Sequence, residues 1–376
     1  MRHIVAVYGT RPETIKMAPV IRELRARPAQ FRCTVVSTGQ HRDMCRPYEE
    51  LFGIRPDIDL SIMVAGQTLD HIVGRIAETF SPVLAAQKPD AVLVQGDTSS
   101  AFAAALVAFH AKIAVGHVEA GLRTGNRHNP FPEEMNRRLI GALADLHFAP
   151  TSASSENLLR EGVDPARIVV TGNTVIDALK YLLASTPAPR DPVLESMDPS
   201  RRVVAVTTHR RESFGEPLLN TLRALRTIAT RFPDVEIVLP VHYNPNVREH
   251  VYRELGSMER VRLIEPMPYE RFIRLVNRST LVLTDSGGVQ EEAPALGKPV
   301  LVLRETTERP EGVTAGVAKL VGTDPAAIVD AASELLGNPD AYAAMTRGGS
   351  PYGDGHAAAR IAERLLALPH DARASG

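Results

Sequence analysis

Short apolar, β-branched runs alternate with longer amphipathic stretches along the whole chain, and this alternation limits the fold more than any other feature. In the first half, strands are expected near His3–Tyr8, Cys33–Ser37, Ala91–Val94, Ile113–Val118 and Leu146–Ala149. Helical stretches such as Pro12–Arg27, Leu69–Ala86 and Ser99–His110 lie between them. Runs such as IVAV and AVLV are apolar throughout, as strands are when both faces of a sheet are covered. Strand–helix–strand repetition of this kind predicts a doubly wound parallel sheet. The pattern then restarts, with strands at Arg202–Thr207, Val235–Pro240, Arg262–Ile264, Leu281–Thr284 and Val300–Leu303 and a helix near Leu218–Thr230. Between the halves, Ala184–Arg201 carries Pro187, Pro189, Pro192 and Pro199 and reads as a connector. We therefore expect an α/β protein of two Rossmann-like doubly wound domains facing a cleft. The domains are placed at residues 1–172 and 173–355, with a last helix at about 356–368 packing back on the first. A length of 376 residues suits two or three domains.

Composition removes several classes of partner. A formal net charge of −1 offers no basic field to nucleic acid or anionic lipid. Aromatic residues are 5% with no Trp, which leaves little for stacking on single-stranded nucleic acid. The two cysteines, Cys33 and Cys45, form no disulfide framework and no thiolate zinc site, and they fit a reducing compartment. No run of ~18 apolar residues predicts a membrane span. The opening MRHIVAVYGTRPE reads as a first strand rather than a leader, so a cytoplasmic protein is expected. No G-x-G-x-x-G follows a strand and no G-x-x-x-x-G-K-[ST] occurs, so neither a dinucleotide cofactor nor ATP hydrolysis is signalled. The histidines show no metal-ligand spacing, and no G-x-S-x-G elbow is present. The expectation is no cofactor, no protein-held metal, no nucleic acid and no membrane.

In parallel sheets, ligands bind beyond the carboxyl ends of the strands, so the residues just after each strand carry the functional reading. Gly9-Thr10-Arg11-Pro12-Glu13 follows the first strand. Arg11 and Lys16 either reach an anion over the cleft or are solvated charges of a strand–helix turn. Asp97, in Gln95-Gly96-Asp97-Thr98, reads equally as a helix N-cap or a catalytic acid. Glu119 stands between a buried-looking strand and the small residues Ala120 and Gly121. Glu133 and Glu134 open a helix after Asn129-Pro130-Phe131-Pro132. Three acids in succession (Asp97, Glu119, and Glu133 or Glu134) favour acid/base chemistry over three separate structural roles. In the second half, His209 in Thr208-His209-Arg210-Arg211 is a candidate for phosphate contact or proton transfer. Thr284-Asp285-Ser286-Gly287-Gly288 runs from a strand into a helix, where backbone N–H groups and the helix N-terminus hold an anion. Glu292, one turn on, can take ribose hydroxyls. The alternative is a tight turn and nothing more.

With these motifs in place, the chain resembles the non-hydrolysing UDP-N-acetylglucosamine 2-epimerases of bacteria, whose two-domain architecture is also that of GT-B glycosyltransferases. The resembling segments are GTRPETIKMAP at Gly9, GQHRDM at Gly39, VQGDTSS at Val94, GHVEAGLRTG at Gly116, NPFPEEMNRR at Asn129 and TGNTVIDAL at Thr171. They continue with THRRESFGEP at Thr208, PVHYNPNVRE at Pro240, the long LTDSGGVQEEAPALGKPVLVLRETTERPEG at Leu283, and the stretch from Asn338 to the PYGDG ending at Gly355. They cover essentially the whole chain, in order.

The resemblance implies roles for single residues. Asp97, Glu119 and Glu133 would be the acid/base carboxylates, and His209 would contact the diphosphate. Arg11 and Lys16 would hold substrate from the first domain. Ser286, Gly287 and Gly288 would bind phosphate, Glu292 the ribose, and Arg309 the phosphate or sugar end. Arg210 and His242 would also touch ligand. An activator pocket would include Gln40, Asp43 and Gly66. Asp43 and Gly66 depart from the Gln and Arg found in members with that pocket, and Cys45-Arg46-Pro47 departs from the usual Leu-Asp-Gln. The implied reaction is reversible C2 epimerisation of UDP-GlcNAc to UDP-ManNAc through elimination of UDP, a 2-acetamidoglucal and re-addition. A cytoplasmic homodimer supplying polysaccharide or antibiotic sugars is implied as well. The competing readings are a hydrolysing relative, a UDP-sugar glycosyltransferase on the same fold, and a non-catalytic UDP-sugar sensor. A sensor would be expected to lack Asp97 or Glu119, and both are present.

Overall fold

Parallel pairing organises each half of the chain. The computed structural model describes residues 1–184, 190–208, 210 and 214–368. They pack as two units: residues 1–178 with 353–368, and the described residues of 179–352.

The first unit runs β1 (Arg2–Tyr8), α1 (Arg11–Arg25), β2 (Phe31–Ser37), α2 (Arg42–Phe52), β3 (Ile58–Asp59), α3 (Leu69–Gln87), β4 (Ala91–Gln95) and α4 (Ser99–His110). It continues with β5 (Ala114–Val118), α5 (Glu133–Leu143), β6 (Leu146–Ala149), α6 (Ser152–Arg160), β7 (Ile168–Val170) and the start of α7 (Thr174–Ala184). Its seven strands are ordered β3-β2-β1-β4-β5-β6-β7, with every pairing parallel. The chain moves one way from β1 to β2 and returns on the other side at β4, so the strand order reverses between β1 and β4. Such a reversal opens a crevice at the carboxyl edge of the sheet. All five residues of β4 and of β5 are buried, in keeping with two covered sheet faces. Ile72, Ile76, Phe80 and Leu84 fall at a helical spacing on α3 and close one face.

The second unit runs α8 (Pro192–Glu195), β8 (Arg202–Thr207), α9 (Glu216–Arg231), β9 (Val235–Pro240), α10 (Pro245–Leu255), β10 (Val261–Ile264), α11 (Tyr269–Arg278) and β11 (Leu281–Thr284). Then come α12 (Gly287–Ala295), β12 (Val300–Val302), α13 (Pro310–Thr314), β13 (Ala318–Leu320), α14 (Pro325–Gly337) and α15 (Pro339–Arg347). The strand order is β10-β9-β8-β11-β12-β13, again all parallel. Its reversal falls between β8 and β11, which places the ends of those strands, at Thr207 and Thr284, side by side.

The last helix, α16 (Ala357–Leu366), belongs to the first unit and packs on α1. Asp177 receives the N–H groups of Ala357 and Ala358 at 3.2 and 2.9 Å, and Arg360 donates to the Thr171 carbonyl at 2.9 Å. The apolar stripe Ala358, Ile361, Ala362 and Leu365 is buried. Among the described residues no helix is long and apolar enough to cross a membrane.

Candidate active site

The carboxyl ends of β4 and β5 lie next to each other, so Asp97 and Glu119 leave the sheet from neighbouring strands. Glu119 is buried and has a φ of 65°, a left-handed conformation that a residue with a Cβ seldom adopts. Holding it there costs about 1–2 kcal/mol, and such strain concentrates at functional sites. Its carboxylate is held from several sides. Lys16 Nζ on α1 donates to Oε1 and Oε2 at 2.5 and 2.6 Å, Gln95 Nε2 at the end of β4 donates to Oε2, and Asn173 Nδ2 donates to Oε1 at 3.3 Å. The sequence pairs Lys16 with Arg11 as anion-seeking cations. In the fold, Lys16 engages the Glu119 carboxylate. Arg11, the first residue of α1, is exposed, and its side chain makes no hydrogen bond or ion pair with any described residue.

The N-cap reading of Asp97 does not hold. Thr98 caps α4, its Oγ1 accepting from Ala101 N at 3.0 Å. Asp97 is bound instead to Arg137 on α5, whose Nε and Nη2 both donate to Oδ2, the former at 3.1 Å. Oδ1 has no hydrogen-bond partner among the described residues. The backbone of Asp97 is fixed as well, because Asn136 Nδ2 donates to its carbonyl at 2.9 Å.

The two glutamates that begin α5 separate in role. Glu134 is fully buried and accepts from Thr124 N, Gly125 N, Arg137 and Arg138 at 3.0–3.3 Å. It is occupied in shaping the loop after Glu119. Glu133 is half-buried, and its side chain makes no hydrogen bond or ion pair with a described residue. Of the two, Glu133 is the one whose carboxylate has no partner among the described residues.

In the second unit, Ser286 is the N-cap residue of α12, and its N–H donates to Thr284 Oγ1 at 2.9 Å. That bond turns the chain so that Gly287 and Gly288 open the helix. Arg309 packs its guanidinium against Gly287 and donates from Nε to Glu291 Oε1 at 2.8 Å. Glu292 is buried and accepts from Tyr269 Oη at 2.7 Å. Arg210 belongs to this cluster: its N–H donates to Asp285 Oδ2 at 3.0 Å, and its guanidinium lies 3.6 Å from Glu308. Burial alone would raise the Glu308 carboxyl. Hydrogen bonds from Arg304, with the charges of Arg304 and Arg210, outweigh it and bring the group down to about 2. This end of the unit therefore combines guanidinium groups with the first turn of a helix, an arrangement suited to a diphosphate. His242 stands after β9, its Nδ1 accepting from Asn244 N at 3.1 Å. His209 lies outside the described residues.

Of the residues assigned to an activator pocket, Gln40 accepts a hydrogen bond from Ser100 Oγ. Asp43 is exposed in the first turn of α2, and Gly66 has a φ of 72° with open space around it. Among the described residues, no group of three or more His, Cys, Asp and Glu side chains is placed to hold a metal ion. Gln95, Arg137 and Asn173 were not singled out from the sequence. The available signal was their position inside VQGDTSS, NPFPEEMNRR and TGNTVIDAL, with Gln95 at the end of β4.

His117, on β5 two residues before Glu119, is fully buried and bonded through Nε2 to the Gly96 carbonyl at 2.7 Å. Burial, with His147 opposite it on β6, pushes the imidazole down to about 3. Below its ordinary value of 6.5 the unfolded chain takes up a proton that the folded chain refuses until about 3. The contribution to stability is therefore complete above 6.5 and lost as pH falls through that window. In His117→Gln the urea midpoint is expected to fall less between about pH 7 and about pH 5 than in the wild type. Equal falls in both proteins would contradict a buried neutral imidazole.

Comparison with known proteins identifies relatives along nearly the whole chain. The sequence profile of the family described as UDP-N-acetylglucosamine 2-epimerase matches residues 22–366. The UDP-N-acetylglucosamine 2-epimerase of Escherichia coli K12 is 52% identical over 375 residues, spanning 96% of this chain and 98% of that protein. That of Bacillus subtilis is 50% identical over 367 residues, spanning 96% and 94%. The crystal structure of UDP-GlcNAc 2-epimerase from Neisseria meningitidis bound to UDP-GlcNAc superposes with a TM-score of 0.87 at 46% identity, over 97% of this chain and 100% of that one. Two Rossmann-like units with this kinship define an isomerase of the nucleotide-sugar class. More narrowly, the chain belongs to the UDP-N-acetylglucosamine 2-epimerase family.

Proposed function

We propose that this chain interconverts UDP-GlcNAc and UDP-ManNAc by eliminating UDP and adding it back. The proton on C2 has no neighbouring carbonyl to stabilise a carbanion, so simple deprotonation is excluded. Elimination avoids this difficulty. The C1–O bond breaks and its electron pair leaves with the β-phosphate oxygen of UDP. A carboxylate takes the C2 proton, and the C2–H electron pair becomes the C1=C2 double bond of 2-acetamidoglucal. In the second half-reaction the diphosphate oxygen re-forms its bond to C1, and a proton is delivered to the opposite face of C2. Removal and delivery on opposite faces require two proton-transfer groups.

The observation that carries this reading is the pair of fixed carboxylates at adjacent strand ends. Glu119 is held on strained backbone by Lys16, Gln95 and Asn173, and Asp97 is held by Arg137. Asp97 keeps Oδ1 for a proton, and Glu133 is a further acid near the start of α5. The α12 N-terminus and Arg309 receive the diphosphate and stabilise the charge that develops as it departs. Glu292, oriented by Tyr269, accepts from ribose hydroxyls. His209, Arg11, Arg210 and His242 complete the ligand contacts on this reading, with a cytoplasmic homodimer as the working form.

Proton NMR of UDP-GlcNAc with the purified protein in deuterated water tests the proposal. The expected result is formation of UDP-ManNAc, with deuterium entering C2 of both UDP-ManNAc and UDP-GlcNAc and no accumulation of free UDP. Release of UDP and free sugar would identify a hydrolysing enzyme. An epimer without deuterium, or no change at all, would refute elimination and re-addition.

A further inference from the structure

We infer that Glu13 is a positioning residue of the reaction, locking the turn that carries Asp97 to the turn that leads into Arg11 and Lys16. The proposal rests on the function proposed above.

Glu13 occupies the first turn of α1, where a glutamate ordinarily caps its own helix from the surface. Here it is 2% exposed. Its Oε2 accepts from Gly9 N at 2.6 Å and from Thr10 N at 2.7 Å. Its Oε1 accepts from Thr98 Oγ1, a residue remote in sequence that immediately follows Asp97. One carboxylate therefore bridges the β1–α1 turn and the β4–α4 turn, the two turns that flank the reversal of strand order. Burial pushes the Glu13 carboxyl up, and the hydrogen bonds from Thr98, Gly9 and Thr10 oppose that shift. A capping requirement alone does not explain a buried carboxyl, because a surface side chain caps a helix equally well.

The surroundings leave this bridge no slack. The Gly9 carbonyl accepts from His41 N at 2.9 Å, which ties in the β2–α2 turn. A Cβ on Gly9 would stand 2.0 Å from Thr38 Oγ1 and 3.1 Å from Ser100 Oγ. Three turns thus interlock around Gly9, and Glu13 supplies the link to the one that holds Asp97. Two residues before Asp97 stands Gln95, and one helical turn after Glu13 stands Lys16. Both of these side chains bind Glu119. Loss of the link frees the β4–α4 turn to shift relative to Lys16, and with it the separation of the two carboxylates.

Thr98 allows the link to be cut without removing Glu13. Its Oγ1 has two duties: it donates to Glu13 and it caps α4 by accepting from Ala101 N. Thr98→Ser keeps both. Thr98→Val loses both. Thr98→Gly loses the hydroxyl and with it the link, while glycine is among the residues that a helix N-cap accepts. If Glu13 positions the site, turnover follows the link and thermal stability follows the cap. The kcat for epimerisation is then expected to fall about 10- to 100-fold in Thr98→Val and Thr98→Gly, with KM changed less than about threefold, as a small misplacement of reacting groups produces. Thr98→Ser should keep wild-type kcat, and Thr98→Val should have the lowest Tm of the series. Wild-type kcat in Thr98→Gly, or in a folded Thr98→Val, overturns the proposal and leaves Glu13 a helix cap. Should Thr98→Val not fold, Thr98→Gly decides alone. A wild-type protein without epimerase activity overturns the function reading first and this proposal with it.

Discussion

Asp97→Asn and Glu119→Gln are each expected to lower epimerisation turnover by about 10²-fold or more, the usual effect of losing a proton-transfer group. The structure gives each change a further consequence. In Glu119→Gln one carboxylate oxygen becomes an NH2 group. Lys16 Nζ now touches both oxygens, so one of its contacts becomes donor against donor, and the amide also turns a donor toward either Gln95 or Asn173. In Asp97→Asn the Arg137 guanidinium loses its charged partner at Oδ2 while staying bonded to the buried Glu134. Loss of one proton-transfer group need not stop both half-reactions equally. A variant that still eliminates but cannot re-add releases UDP and the glucal. Following UDP and the C2 proton together by NMR separates these outcomes. Near-normal epimerisation by both variants would remove Asp97 and Glu119 from the reaction.

Gly121→Ala is expected to unfold the first unit's active-site edge at markedly lower temperature. Gly121 has a φ of +90°, and a Cβ there would stand 2.2 Å from the backbone oxygen of Ser154 and 3.0 Å from Leu158 Cγ. Both neighbours belong to α6, which is fastened to this point by Asn157 Nδ2 donating to the Gly121 carbonyl at 2.9 Å. Leu158 is fully buried against Ala120 and Ala149, so α6 has no room to retreat without opening that small core. Overpacking contributes about 1–3 kcal/mol and the left-handed backbone about 1–2 kcal/mol, so a loss of about 3 kcal/mol is expected. At about 2–4 °C per kcal/mol for a unit of this size, Tm should fall by about 6–12 °C. A fall below about 2 °C would show that α6 shifts freely and that the Glu119–Gly121 turn is not held by it.

The division between what the sequence states and what only folding decides follows from the range of the interactions. Strands such as β4 and β8 announce themselves because a strand covered by helices on both faces is mostly apolar, and that pattern is local. The parallel architecture follows from it, and so does the rule that ligands gather past strand ends, which directs attention to Asp97, Glu119, Ser286 and Glu292. The edge strands β3, β7 and β13 are two or three residues long, too short to show a period, and they are visible only through their pairing.

The partners inside the site were not legible. Lys16 and Glu119 are joined because β1 is inserted between β2 and β4, an order that the linear sequence does not spell out. The same insertion brings Thr98 to Glu13. Glu133 and Glu134 are indistinguishable as adjacent acids at a helix start. The fold separates them, since one points into the Thr124–Gly125 loop and the Arg137 guanidinium while the other does not. Sequence by itself determined the layers, the strand ends and the residue types delivered there, because burial and helix capping act over a few residues. Tertiary structure alone decided which of those side chains hold one another, because a salt bridge or hydrogen bond between distant segments depends on sheet order and loop direction, which are properties of the whole packed unit.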